Sequence, residues 1–125
     1  MAETFYAEHS GKPYFSDLID YMTSGDVIAL CLARKDGIDF WRYLLGPTRV
    51  SEARKLEKRK TIRGIFGDPY NDMYNACHGS DSPESSEREI EIIFPHILYG
   101  EGGGLDSAGD SVDFVKQVNT SFLSG

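Results

Sequence analysis

The stretch Asn75-Ala76-Cys77-His78-Gly79-Ser80-Asp81-Ser82, followed by Pro83 and Glu84, decides how this chain is read. It sets a histidine beside a glycine, then hydroxyls and a carboxylate, directly before a helix. Ser82 stands as the capping residue, Pro83 at the first helical position and Glu84 in the first turn, three start signals in order. A helix start presents free N–H groups and a partial positive charge, which attract anions such as phosphate. A histidine there can accept a phosphoryl group on a ring nitrogen. Taken alone, a His-Gly pair says little, because histidine has many structural uses.

Outward from that stretch the elements follow from periodicity. The helix from Pro83 carries Ser86, Ile90, Ile93 and Phe94 on one face, with Glu87, Arg88 and Glu91 elsewhere. Upstream, Ala76 to His78 reads as a short strand. Residues 67–72, Gly-Asp-Pro-Tyr-Asn-Asp, are turn chemistry, and Thr61 to Phe66 suggests a short helix. Ile38 to Leu45 reads as a helix closed by Gly46-Pro47. Val27 to Leu32 is an unbroken apolar run of strand length, the pattern of a strand covered on both faces. Tyr14, Phe15, Leu18, Ile19 and Met22 recur at helical spacing, and residues 2–9 form a first helix before Gly11-Lys12-Pro13. After Pro95 the composition turns to Gly, Ser and Asp, which buries too little apolar surface to order itself. A loose helical turn or two is expected at Val112 to Leu123.

With 125 residues the chain makes one domain at most. No apolar run approaches the roughly 20 residues that span a bilayer, and residues 1–20 lack the pattern of a secretory signal. Cys31 and Cys77 are the only cysteines, without metal-ligand spacing, which suggests reduced thiols in an intracellular protein. A net charge of −7 argues against nucleic-acid binding. Seven of the thirteen basic residues nevertheless fall between 49 and 63. They read either as a solvated face or as a basic lip on a phosphate site.

Asn-x-x-His-Gly-Ser-Asp-Ser resembles the active-site signature of the nucleoside diphosphate kinases, and the likeness runs from about Phe5 to Phe94. Arg42-Tyr43-Leu44-Leu45-Gly46-Pro47-Thr48-Arg49-Val50 is most similar to the divergent type-6 members. The resemblance implies that His78 is a nucleophile phosphorylated by a nucleoside triphosphate, with Glu89 and Ser80 supporting it and Tyr6 orienting groups around it. Arg42, Thr48 and Arg63 match the family's phosphate ligands, Asn75 its ribose contact, and Tyr14 and Leu18 the pair that grips the base. Mg²⁺ is implied with the nucleotide, held largely by phosphate oxygens and water. His9 and His96 fit no motif and read as structural or exposed.

The implied fold class is α+β: a partial ferredoxin-like α/β sandwich without the family's first strand, helix and second strand, and without the lysine they carry. Without that central strand, the strands at 27–32 and 76–78 need hydrogen-bond partners from elsewhere. The organisation expected is a kinase-like domain over residues 1–98 and a flexible tail over 99–125. ATP and nucleoside diphosphates are the implied ligands, with a homo-oligomer or association with a full-length relative; of two insertions, between Thr48 and Thr61 and between Phe66 and Asn75, the first alters the loop that packs subunits together. No nucleic acid or membrane partner is expected, and the compartment is cytoplasmic or mitochondrial. Two other readings stay open: a catalytically impaired module that binds nucleotide or protein, and a nucleic-acid binder through residues 49–63.

Overall fold

A computed structural model describes residues 1–95 and, as backbone, residues 114–120. The elements in chain order are α1 (Ala2–Phe5), a 3₁₀ turn (Ala7–His9), α2 (Phe15–Met22), β1 (Val27–Ala33), α3 (Gly37–Leu45), α4 (Val50–Arg54), α5 (Ile62–Phe66), α6 (Pro83–Ile93) and β2 (Phe114–Thr120). They fall into two compact units, one of Met1–Lys35 with Glu87–Gly125, the other of Asp36–Ser86.

In the first unit Ala2, Phe5 and Tyr6 form the buried centre. Phe15, Leu18, Ile19 and Met22 pack on it from α2, Val27 from β1, and Ile92 and Ile93 from α6. The apolar spacing of α2 turns its stripe onto α1, as its sequence predicts. Arg88 of α6 donates from Nη1 to the Phe5 carbonyl at 3.1 Å and so satisfies an acceptor at the end of α1.

β1 departs from expectation. Cys31 and Ala33 are buried, but Ile28 is 65% and Leu30 44% exposed. The strand is therefore covered on one face, not both, because among the described residues only one layer packs against it. Its partner is the tail. β2 pairs with it antiparallel, from Val27↔Thr120 to Ala33↔Phe114. The helical turns expected at Val112 to Leu123 give way to this strand over residues 114–120. The reason is the one the sequence exposes: β1's backbone groups need a partner, and Phe114, Val115, Val118 and Thr120 favour extended backbone. His96 and the remainder of the expected flexible tail lie outside the described residues.

In the second unit α4 and α5 pack together and α5 meets α3, around Leu45, Val50, Ala53 and Thr61, each 3% exposed or less. Helix α3 ends at Gly46, whose φ of +80° is a left-handed value open to glycine, with its N–H on the Arg42 carbonyl. Thr61 caps α5 by accepting the Gly64 N–H at 3.1 Å. In the charged connection the sequence leaves unread, α4 forms, and Asp72 caps it from afar. Its Oδ1 accepts the Ser51 N–H at 2.6 Å and its carbonyl the Val50 N–H at 3.2 Å. The expected strand at Ala76 to His78 is absent. Ala76 has a φ of +69°, and the Cys77 N–H returns to the Asn75 carbonyl at 2.9 Å, closing a three-residue γ-turn. Positive φ is incompatible with a strand, so the chain turns there.

Candidate active site

The segment that carries His78 is held by side chains instead of a sheet ladder. Three consecutive carbonyls, those of Cys77, His78 and Gly79, each accept from a different residue. Arg63 donates to the Cys77 carbonyl from Nη2 at 2.9 Å and from Nε at 3.2 Å. Its Nη1 donates to the Gly46 carbonyl at 3.1 Å. Trp41 donates its indole N–H to the His78 carbonyl at 3.3 Å. Arg42 donates from Nη1 to the Gly79 carbonyl at 3.1 Å. Trp41 and Arg42 are neighbours on α3, while Arg63 comes from α5. A guanidinium offers a rigid planar fork, which suits it to bridging two carbonyls.

Gly79 is required by close packing. A Cβ at that position would stand 2.7 Å from both Leu45 Cδ1 and Trp41 Cδ1. The backbone thus lies against α3, and the His78 side chain faces outward, exposed. Ahead of it, Asn75 donates from Nδ2 to the Thr48 carbonyl at 2.9 Å, which ties the loop to the connection between α3 and α4. Beyond it, Ser82 accepts the Ser85 N–H at 3.1 Å as the cap of α6, and the Ser85 hydroxyl donates to Asp81 Oδ1 at 2.8 Å. The Ser85 hydroxyl holds the exposed Asp81 carboxyl below its ordinary range, with smaller help from Arg42 and His78. Burial pushes the Cys77 thiol up, partly opposed by the Arg63 charge, so this sulfur stays a protonated packing group beside the histidine.

Of the residues singled out by sequence, His78, Ser80, Arg42, Thr48, Arg63 and Asn75 lie in the second unit. Five of them take part in these hydrogen bonds: Arg42, Arg63 and Asn75 as donors, Thr48 and His78 through their carbonyls. Arg63 is 6% exposed, with its fork directed at backbone carbonyls, whereas Arg42 is an exposed side chain. Tyr6, Tyr14, Leu18 and Glu89 lie in the first unit. Tyr6 and Glu89 are buried, Leu18 packs on the core, and Tyr14 is 37% exposed with its hydroxyl 3.2 Å from His9 Nδ1. The Arg88 guanidinium stands 3.8 Å from Glu89 Oε1 and 3.5 Å from Glu8 Oε2.

Trp41 escapes the sequence reading. Nothing local distinguishes it from Phe40 on an amphipathic helix, since its partner lies 37 residues away. Ala76 escapes it too, because alanine carries no left-handed signal. Arg88, next to Glu89, is legible only as a charge on the helix surface.

A family model described as nucleoside diphosphate kinase matches residues 1–97. The chain is 48% identical over 100 residues to nucleoside diphosphate kinase 6 of Danio rerio, covering 80% of this chain and 55% of that protein. It is 46% identical over 93 residues to nucleoside diphosphate kinase 6 of Homo sapiens, covering 74% and 48%. It is 48% identical over 94 residues to the nucleoside diphosphate kinase of Archaeoglobus fulgidus, covering 75% and 58%. The chain therefore spans about half the length of the curated relatives it matches. The crystal structure of the Aquifex aeolicus nucleoside diphosphate kinase superposes with a TM-score of 0.62 at 37% identity, covering 74% of this chain and 64% of that one. The expected fold class, α+β and a partial ferredoxin-like sandwich, accords with that likeness. A match over nearly all the described residues, in sequence and in structure alike, has one conclusion: the chain belongs to the nucleoside diphosphate kinase family.

Proposed function

We propose that this chain carries out the nucleoside diphosphate kinase reaction, the reversible transfer of the terminal phosphate from a nucleoside triphosphate to a nucleoside diphosphate. The observation that supports it most is the exposed His78 on a backbone whose three carbonyls are pinned by Arg63, Trp41 and Arg42. Phosphoryl transfer needs an aligned nucleophile and fixed positive charge more than covalent help. Both are supplied by the same few residues.

The reaction is ping-pong. A neutral ring nitrogen of His78 attacks the γ-phosphorus of ATP, the bond from that phosphorus to the β–γ bridging oxygen breaks, and the diphosphate leaves with the electron pair. An acceptor diphosphate then reverses the step, its terminal oxygen taking the phosphoryl group from the histidine. Arg42 and Thr48, both exposed, contact the phosphate. Arg63 acts as a fixed positive charge through the loop it braces. Asn75 holds the ribose, and Tyr14 and Leu18 the base. Ser80, Glu89 and Tyr6 take the supporting roles that the resemblance assigns them.

Mg²⁺ enters with the nucleotide in this reading. Among the described residues no group of three or more His, Cys, Asp and Glu is placed to hold a metal ion. The groups around His78 are chiefly guanidinium, hydroxyl and amide, a set that fits a metal-bearing phosphate better than a bare ion. When bound, the ion neutralises charge on the phosphate oxygens. Also among the described residues, no helix is long and apolar enough to cross a membrane.

The test is incubation of the purified chain with γ-labelled ATP and Mg²⁺ beside a His78→Ala control. Label that is acid-labile and base-stable, needs His78 and leaves on addition of GDP is the expected result. A folded chain that binds nucleotide yet takes no label refutes the enzymatic reading and favours a nucleotide-binding interaction module.

A further inference from the structure

We propose that His9 is a positioning residue that fixes the Tyr14 ring as the platform for a nucleotide's base, an inference that rests on the nucleotide reading above. His9 matches no motif and has no part in the phosphoryl chemistry. Its ring nevertheless stands between the buried Tyr6, 6.3 Å away by centroids, and the exposed Tyr14, 5.8 Å away. The Tyr14 hydroxyl meets His9 Nδ1 at 3.2 Å. The local chain explains the meeting. The 3₁₀ turn ends at His9, Gly11 takes a φ of +81°, and the Lys12 N–H returns to the His9 carbonyl at 3.0 Å. That reversal brings Tyr14, five residues on, back against the imidazole.

The other side of the ring is anchored. His9 Nε2 lies 3.7 Å from Glu8 Oε1, and the second oxygen of Glu8 lies 3.5 Å from Arg88 Nη2. Arg88 is itself fixed by the Phe5 carbonyl and stands 3.8 Å from Glu89. A carboxylate at Nε2 favours the proton on that nitrogen, which leaves Nδ1 as an acceptor for the Tyr14 hydroxyl. The phenol is thereby held at its edge, in a residue that remains 37% exposed. An aromatic face stacks on any base without reading its hydrogen-bonding edge, so the ligand class is a nucleoside diphosphate whatever its base. A ring already fixed loses less freedom on binding, which strengthens affinity without altering the transfer step.

The experiment is calorimetric titration of the full chain with ADP and Mg²⁺, for His9→Ala, Tyr14→Phe, the double variant and His9→Gln. Each single variant is expected to weaken ADP binding by about threefold to tenfold, the range of one modest hydrogen bond. The double variant should be no weaker than either single one, and His9→Gln, which keeps an acceptor, should recover most of the loss. In the His9 variants the rate of phosphate transfer from saturating ATP to His78 should not change, a split that a general loss of structure would not produce. Tyr14→Phe deletes one oxygen atom and tests the same bond should His9→Ala fold poorly. Single variants that bind ADP like the wild type, or effects that add in the double variant, overturn the proposal. A wild-type chain that binds no ADP instead overturns the nucleotide reading, and this inference with it.

Discussion

Replacing Arg63 with alanine separates two accounts of that residue. As a phosphate ligand alone, its loss would weaken nucleotide binding and leave folding untouched. The structure gives it a bracing role as well, since it is 6% exposed and its guanidinium donates three hydrogen bonds, two to the Cys77 carbonyl and one to that of Gly46. A hydrogen bond from a charged donor contributes about 1.5–3 kcal/mol, and a buried acceptor left without a partner costs about 1–3 kcal/mol. The bonds share one side chain and water can reach the vacated space, so the contributions do not simply add. A loss of about 3 kcal/mol is the reasoned expectation. Total stability for a chain of this size is about 6–15 kcal/mol, so the effect is a large share. In urea unfolding the midpoint should fall by roughly 1–3 M with an unchanged slope. Arg63→Lys keeps the charge but not the fork, and should recover less than half. A loss below about 1 kcal/mol for Arg63→Ala would refute the bracing role.

Three further outcomes follow from the same geometry. Gly79→Ala places a Cβ 2.7 Å from Leu45 and Trp41; it should cost about 1–3 kcal/mol by overpacking and abolish labelling of His78, whereas Gly25→Ala, with nothing within 4 Å, should be near neutral in the same melts. The Asp81 carboxyl is held low chiefly by the Ser85 hydroxyl, so its ionised form favours the fold. That contribution is complete above the ordinary carboxylate range near about 3.9 and disappears as pH falls through the lower folded value. The stability gap between wild type and Ser85→Ala should therefore narrow from about pH 6 to about pH 3 in thermal melts, and a constant gap would count against the bond. Deleting residues 114–125 removes the only partner of β1 among the described residues. Melting should fall by about 5 °C or more, the shift that roughly 1 kcal/mol produces in a small domain, and an unchanged melting curve would show that the pairing contributes nothing.

What the sequence discloses and what it conceals divide along the range of the interactions. Helix α2 is legible because Phe15, Leu18, Ile19 and Met22 repeat within one element. The ends of α3 and α5 are legible because Gly46 and Thr61 act on their own neighbours. The histidine loop is found by its motif yet reads as a strand, because Ala76 and Cys77 look like any extended apolar pair. The residues on either side of Ala76 are held from far off in the chain, Asn75 by the Thr48 carbonyl and Cys77 by Arg63. The pairing of β1 with β2 is hidden for the same reason, since a ladder partner is chosen by unsatisfied backbone groups and not by local composition. Ile28 and Leu30 mark the converse error: an apolar run promises two covered faces, and the fold supplies one.

The loop geometry also changes how the cations that match the family's phosphate ligands should be tested here. On the proposed reading Arg42 and Arg63 carry the charge that phosphate transfer calls for, and in the structure both hold carbonyls beside His78. With no strand alongside that segment among the described residues, the arginines and Trp41 do what a sheet neighbour would otherwise do. A fall in activity on removing either arginine therefore has two physical origins, lost charge at the phosphate and a nucleophile no longer held in line. Activity alone cannot divide them. Stability in urea reports the second, nucleotide affinity at fixed folding reports the first, and Trp41→Phe isolates the bracing, because it deletes one N–H donor with no charge to lose. If Trp41→Phe slows phosphorylation of His78 while ADP affinity is unchanged, alignment of the loop is a requirement for transfer in its own right.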